Sequence, residues 1–175
     1  MPQRLSYADS CRELQRLQVI DEGDIPPLPH RAPRHDDEEL GVSFFRTLLA
    51  DAKLENLTLP RTYFGRSEIR AMSFQNTDLS ESTANWNDFI GVDFSAADLS
   101  RSDFRACLLE RVRFTEACLA DVDFRYCGFK QCDFTNAEMS GTKLTRKSGA
   151  ALRLSSDQQQ VIDWQAEDGA EPDGG

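Results

Sequence analysis

Two histidines, His30 and His35, are all that this 175-residue chain contains, and both lie in or beside a proline-rich stretch. A Ser-His-Asp triad therefore lacks a base on a rigid element, and with no further ligand nearby the pair makes no metal site. No glycine-rich phosphate loop is present. Apolar runs never approach the roughly 18 to 20 residues that a bilayer span requires, and Met1–Tyr7 lacks the apolar core of a secretory leader. The five cysteines, Cys11, Cys107, Cys118, Cys127 and Cys132, are odd in number, and none sits in a Cys-x-x-Cys pair. A reduced, cytoplasmic chain is expected, away from membranes. Basic residues are also in deficit, 20 Lys and Arg against 30 Asp and Glu for a net charge of −10, so direct nucleic-acid binding is not expected. What remains is an acidic chain of one domain's length, with no cofactor and no catalytic constellation.

What the chain does have is a period of five. From Phe44, an apolar residue recurs at every fifth position to Leu144, 21 positions in succession, and ten of the eleven phenylalanines fall in this register. At 39% apolar composition such a run has a chance of about 0.4 to the 21st power, on the order of 10⁻⁹. Two residues before each centre the side chains are small, as at Ala97, Ser102, Cys107, Val112 and Ala117, and the residue just before the centre is often Asp. An α-helix turns about 100° per residue, so a five-residue period would scatter these side chains around its whole surface. Fixed-period self-similarity instead marks a solenoid, in which each unit buries its apolar residue by stacking on its copies.

Pentads such as Ala97-Asp98-Leu99-Ser100-Arg101 and Ala137-Glu138-Met139-Ser140-Gly141 resemble the pentapeptide-repeat family, whose unit is A-(D/N)-L-x-x. The resemblance covers residues 42–145 and implies an all-β solenoid: a right-handed quadrilateral parallel β-helix with four pentads per coil, about five coils in all. Coils about 4.8 Å apart make a rod roughly 25 Å long. Residues 20 apart then stack, so that Leu54, Phe74, Phe94, Phe114 and Phe134 form one core ladder and Leu59, Leu79, Leu99, Leu119 and Met139 another. A third, Phe64, Ala84, Phe104, Phe124 and Leu144, lacks one large side chain at Ala84, a gap for a neighbour or a local shift to fill; Trp86, two residues on, either helps to fill it or points outward and covers its coil. Cys107, Cys127 and Cys132 take inward small positions as core filler, whereas Cys118 points outward.

The flanks do not repeat. Residues 1–41 hold a helix expected from about Ala8 to Val19 and an extended proline-rich linker, Ile25–Pro33. The first coil begins somewhere between 42 and 52. Residues 146–175 read as a cap, with a helix starting at Ser156 or Asp157, followed by a disordered acidic tail from Gln165.

With inward positions committed to packing, function falls to the surface. Around the Phe44 to Leu144 ladder, six basic residues meet only Asp103 and Asp123, whereas acids dominate around the Leu59 to Met139 ladder. Phe45, Arg46, Tyr63, Arg66, Trp86, Arg105, Arg125 and Tyr126 on the basic side have the mix of arginine and aromatics found in protein-binding hot spots. The expectation is a non-catalytic protein-binding module: a bacterial immunity or protection factor that occludes a partner such as a toxin. The resemblance implies an alternative, since the best-known family members mimic B-form DNA and protect DNA gyrase or a related topoisomerase from antibiotics. The stretch 41–145 carries 15 acids and 12 bases, a weak basis for mimicking a polyanion. A structural scaffold and a homodimer remain open alternatives.

Overall fold

A computed structural model describes residues 2–23 and 25–167. From Val42 onward the chain winds in coils of 20 residues. Strand β1 (Ser43–Phe45) pairs in parallel with β3 (Tyr63–Gly65), and β2 (Leu48–Ala50), β4 (Glu68–Arg70), β5 (Asp88–Ile90), β6 (Leu108–Glu110) and β7 (Gly128–Lys130) form one parallel sheet. Single bridges continue the same 20-residue register along the other faces, such as Asp78 to Asp98 and Asp103 to Asp123. The architecture is the β-solenoid expected from the five-residue period, with its first coil at the early end of the range.

Each pentad turns its corner two residues after its centre. All 20 corner residues from Arg46 to Gly141 have φ between 49° and 69°, and only Gly91 and Gly141 among them are glycine. A left-handed conformation costs an L-residue about 1–2 kcal/mol, so the corners hold only because stacking imposes them. The stacking bonds are regular: Leu79 N–H donates to Asp98 O at 2.8 Å, and Asp98 N–H donates to Thr77 O at 3.0 Å.

The small inward positions also close hydrogen bonds. Ser67, Thr77, Ser102 and Thr142 donate their hydroxyls to the carbonyl 23 residues earlier, and Cys107, Cys127 and Cys132 direct their thiols to the equivalent carbonyls. Burial pushes the thiol pKa values of Cys107 and Cys132 up, so both behave as neutral packing groups. Cys118, only half-buried, is likewise pushed up by desolvation.

The core ladders are those expected. Rings of Phe74, Phe94, Phe114 and Phe134 stack with centroids 5.4, 5.5 and 4.9 Å apart. Leu79, Leu99, Leu119 and Met139 are buried beside them. At the Ala84 gap the filler is Phe89, the next centre in the same coil, whose ring lies 6.1 Å from Phe64 above and 5.3 Å from Phe104 below. Ala84 is fully buried, while Trp86 is 73% exposed and fills nothing. Volume lost on one face is thus restored from the adjacent one.

Both ends are covered. Helix α1 (Tyr7–Arg16), capped by Ser6, buries Cys11 and Leu14 in the core. It is shorter at its C-terminal end than the sequence suggests. Leu5 N–H donates to Asn56 O at 2.8 Å, and Ser10 Oγ accepts from Thr58 N–H at 2.8 Å, so this segment supplies partners that a preceding coil would otherwise provide. At the other end, β8 (Lys143–Thr145) runs into α2 (Arg146–Ala150), then α3 (Ser156–Val161) and β9 (Asp163–Gln165). Strand β9 pairs with β8 in the coil register, Leu144 opposite Trp164, which brings the winding to about six turns where about five were expected. Gln165 therefore lies in a strand and not in a tail; the tail expected beyond it falls, from residue 168, outside the described residues. Gln158 of α3 donates to Phe134 O at 2.7 Å, closing a carbonyl of the last full coil, and Gly149 lacks the side chain that would collide with the Trp164 ring.

Candidate functional site

The corner between the Phe44–Leu144 ladder and the five-stranded sheet carries, coil by coil, Arg46, Arg66, Trp86, Ala106 and Tyr126 at its left-handed positions. Trp86 and Tyr126 are 73% and 59% exposed, two coils apart with only Ala106 between them, and Phe45 and Leu108 leave 45% and 40% of their surfaces in water beside them. This is the largest gathering of exposed apolar side chains on the described rod. It is also where sequence reasoning placed the binding residues.

The charges there are less free than a count of them suggests. Arg105 grips Asp103 with two bonds of 2.9 and 2.6 Å, and Arg125 grips Asp123 with bonds of 3.0 and 2.7 Å. Each arginine closes on the aspartate two residues before it, on the same strand-like run. The hydrogen bonds that Arg105 donates to Asp103, followed by the attraction of Asp103, Asp36 and Asp123, outweigh burial and raise the Arg105 pKa. Burial raises Asp123, but the side-chain and backbone hydrogen bonds from Arg125 overcome it and hold that carboxyl below its ordinary range. Arg46 lies over the Phe45 ring, 5.1 Å from its centroid. Gly65 opens the space for the neighbouring rings: a methyl group there would run into both Tyr63 and Phe45, whose rings stack with centroids 6.5 Å apart.

Sequence reasoning missed a second participant. The segment from Pro29 to Leu40 crosses this side of the rod: the Arg61 guanidinium donates to Pro29 O, and Pro29 also packs at Gly41. Asp36 accepts from Arg105 at 2.9 Å. Asp36 and Asp37 line a cleft with Tyr63, Gly65, Arg66, Asn85 and Trp86. Burial, then Glu39 and Asp37, push the Tyr63 hydroxyl pKa up. The segment is kinked onto itself by Arg31, which holds Glu38 with bonds of 2.8 and 3.1 Å, while Arg34 N–H donates to the same carboxylate at 2.6 Å. An acidic run directly before a basic first face was the available signal, and only the 69-residue separation of Asp36 from Arg105 hid the pairing.

Elsewhere on the rod, at the neighbouring corners and faces, acids and bases alternate between coils. Glu81 lies 3.3 Å from Arg61 and 3.4 Å from Arg101, Arg113 lies 3.2 Å from Asp93, and Glu110 lies 3.8 Å from Lys130. Among the described residues there is no cluster of metal-ligating side chains, and no helix is long and apolar enough to cross a membrane.

Comparison with known proteins agrees with the coil geometry. Residues 85–152 match the model of the pentapeptide repeat region. No curated protein matches the chain. Among solved structures, it is similar to HetL, a pentapeptide repeat protein involved in heterocyst differentiation regulation from the cyanobacterium Nostoc sp. Strain PCC 7120, at 15% identity over 60% of this chain and 55% of that one, TM-score 0.26. A pentapeptide repeat protein of the Arabidopsis thaliana thylakoid lumen is 23% identical over 70% of this chain and 74% of its own, TM-score 0.25. QnrB1, a plasmid-mediated fluoroquinolone resistance protein, is 21% identical over 72% of this chain and 66% of its own, TM-score 0.33. The chain thus spans little more than half the length of HetL and about two thirds of QnrB1.

Proposed function

We propose that this chain is a pentapeptide-repeat protein that works by binding another protein, through the corner that carries Arg66, Trp86 and Tyr126, with no catalytic step of its own. The observation that carries this reading is Trp86. It occupies a left-handed corner at φ 61°, where a large side chain is strained, it leaves 73% of its surface in water, and the gap at Ala84 is filled by its neighbour Phe89. It adds nothing to the core. An indole kept in such a place, with Tyr126 two coils on and Arg105 held rigid between, has the composition of an interface hot spot.

The finer reading is a bacterial cytoplasmic protection factor that occludes its partner, such as a toxin. Duplex mimicry is favoured less, because it needs a dense anionic surface along the rod, about one charge per 1.7 Å. Here the acids of successive coils are interrupted and paired by Arg61, Arg101, Arg113 and Lys130. Affinity capture from the native lysate with the tagged chain, run beside a Trp86→Ala/Arg105→Ala/Tyr126→Ala variant, tests the reading. A toxin-like protein retained by the parent and lost from the folded variant supports it. Equal retention moves the site elsewhere, and retention of gyrase or topoisomerase IV subunits favours the topoisomerase alternative, to be checked by supercoiling inhibition.

A further inference from the structure

The carboxylates that lie on the binding corner belong to the chain itself. Asp36 is bonded to Arg105 at 2.9 Å, and with Asp37 it walls the cleft between Tyr63, Arg66 and Trp86. Their attachment is of a kind that exchanges readily. Among the described residues, no backbone-to-backbone hydrogen bond joins residues 20–40 to the rod. The Asp36 side chain remains 63% exposed, so its ion pair is screened and hydrated. The clip that shapes the segment, Arg31 to Glu38, is internal to it and would travel with it.

Arg105, by contrast, is rigid. Asp103 fixes its guanidinium from behind with two bonds, leaving the remaining N–H group of Nη2 aimed at the position that Asp36 fills. A fixed fork beside exposed aromatic faces is a receptor for a carboxylate on a peptide. On the reading that this corner is the binding surface, we infer that residues Asp36 and Asp37 are an internal plug, and that the partner engages the corner with an acidic segment of its own which displaces them. The plug lowers the apparent affinity by the fraction of molecules in which it is seated, and admits partners that can match two adjacent carboxylates.

The probe is a fluorescein-labelled peptide with the sequence of residues 35–40, His-Asp-Asp-Glu-Glu-Leu, titrated by anisotropy against the full chain at low salt. An Asp36→Asn/Asp37→Asn variant should bind it about five-fold or more tightly than the parent, and adding Arg105→Ala or Trp86→Ala to that variant should remove the gain. Unchanged Tm in each variant excludes a folding effect. Equal affinity of parent and plug-free chain, absence of binding to the plug-free chain, or binding of a 12-base-pair DNA duplex in place of the peptide would each overturn the inference. The broader reading fails separately: capture from lysate that survives loss of Trp86, Arg105 and Tyr126 rejects the corner itself, whereas capture that needs the corner but does not increase in the plug-free chain, with no peptide binding, rejects only the plug.

Discussion

Residues 2–14 meet the rod through a backbone bond from Leu5 to Asn56, bonds from the Arg4 guanidinium to Asn76 O and from the Asn76 amide to Pro2 O, a serine hydroxyl on Thr58 and the buried side chains of Cys11 and Leu14. Residues 29–39 meet the same rod through one guanidinium on a carbonyl, one exposed ion pair, a hydrogen bond of 2.6 Å from the Ser43 hydroxyl to Glu39, and van der Waals contact. Both stretches precede the first coil and neither repeats, yet one substitutes for a missing coil and the other lies across a finished surface. The difference is where unsatisfied groups lie. The open end of a β-helix exposes carbonyls and N–H groups that must find partners, so the segment covering it is bound by obligation. A side face has its backbone already paired, so anything resting there is held only by side chains and can leave.

Substitutions that cut into the coils should have the largest effect. Phe89→Ala removes the ring that serves two coils at the Ala84 gap and should cost about 3–5 kcal/mol in chemical denaturation. Adding Ala84→Leu to Phe89→Leu should recover stability relative to either single change, because the two positions share one volume. If the two effects are merely additive, the cross-face compensation is wrong. Leu14→Ala, in the obligatory segment, should cost about 2–4 kcal/mol, close to a core substitution within the rod. A cost near zero would place residues 2–14 in the same class as residues 29–39. Gly149→Ala should cost about 1–3 kcal/mol by displacing Trp164 from the last turn, read as a red-shifted tryptophan emission together with a lowered Tm.

What the sequence makes legible follows the same division. Positions from Phe44 to Leu144 announce themselves because one physical demand, a side chain that fits between its copies, recurs 21 times. Leu144 to Trp164 is one more step of 20, and the intervening Gly149 and the α3 cap, which break the pentads, concealed it. Corner conformations were hidden for a different reason. Eighteen of the 20 left-handed residues are not glycine, so local propensity contradicts what stacking imposes. The candidate corner was readable as composition, but its electrostatics were not. The tally set Asp103 and Asp123 against six bases, but only the geometry showed Arg105 and Arg125 each closed on one of them, and Asp36 reached Arg105 from a stretch with no period to place it.

The smallest effects belong to residues 29–40, the strap across the side face, and they sharpen the contrast because they should appear in dynamics and not in stability. Glu38→Gln removes the clip to Arg31, so Tm should stay where it is, while trypsin should cut after Arg31 and Arg34 sooner than in the parent and well before any arginine of the rod. The clip also carries a pH signature. The Arg31 hydrogen bonds, followed by that from Arg34 N–H, hold the Glu38 carboxyl at about 2, below its ordinary 4.5. A carboxyl depressed in the folded state favours that state fully above its ordinary pKa, and the contribution disappears as pH falls through the lower one. The Arg34 amide should therefore keep its hydrogen-bonded NMR shift at pH 4 and lose it as the pH passes through about 2. Loss near 4.5 would mean that the clip is seldom closed, and the strap would then be looser than a plug requires.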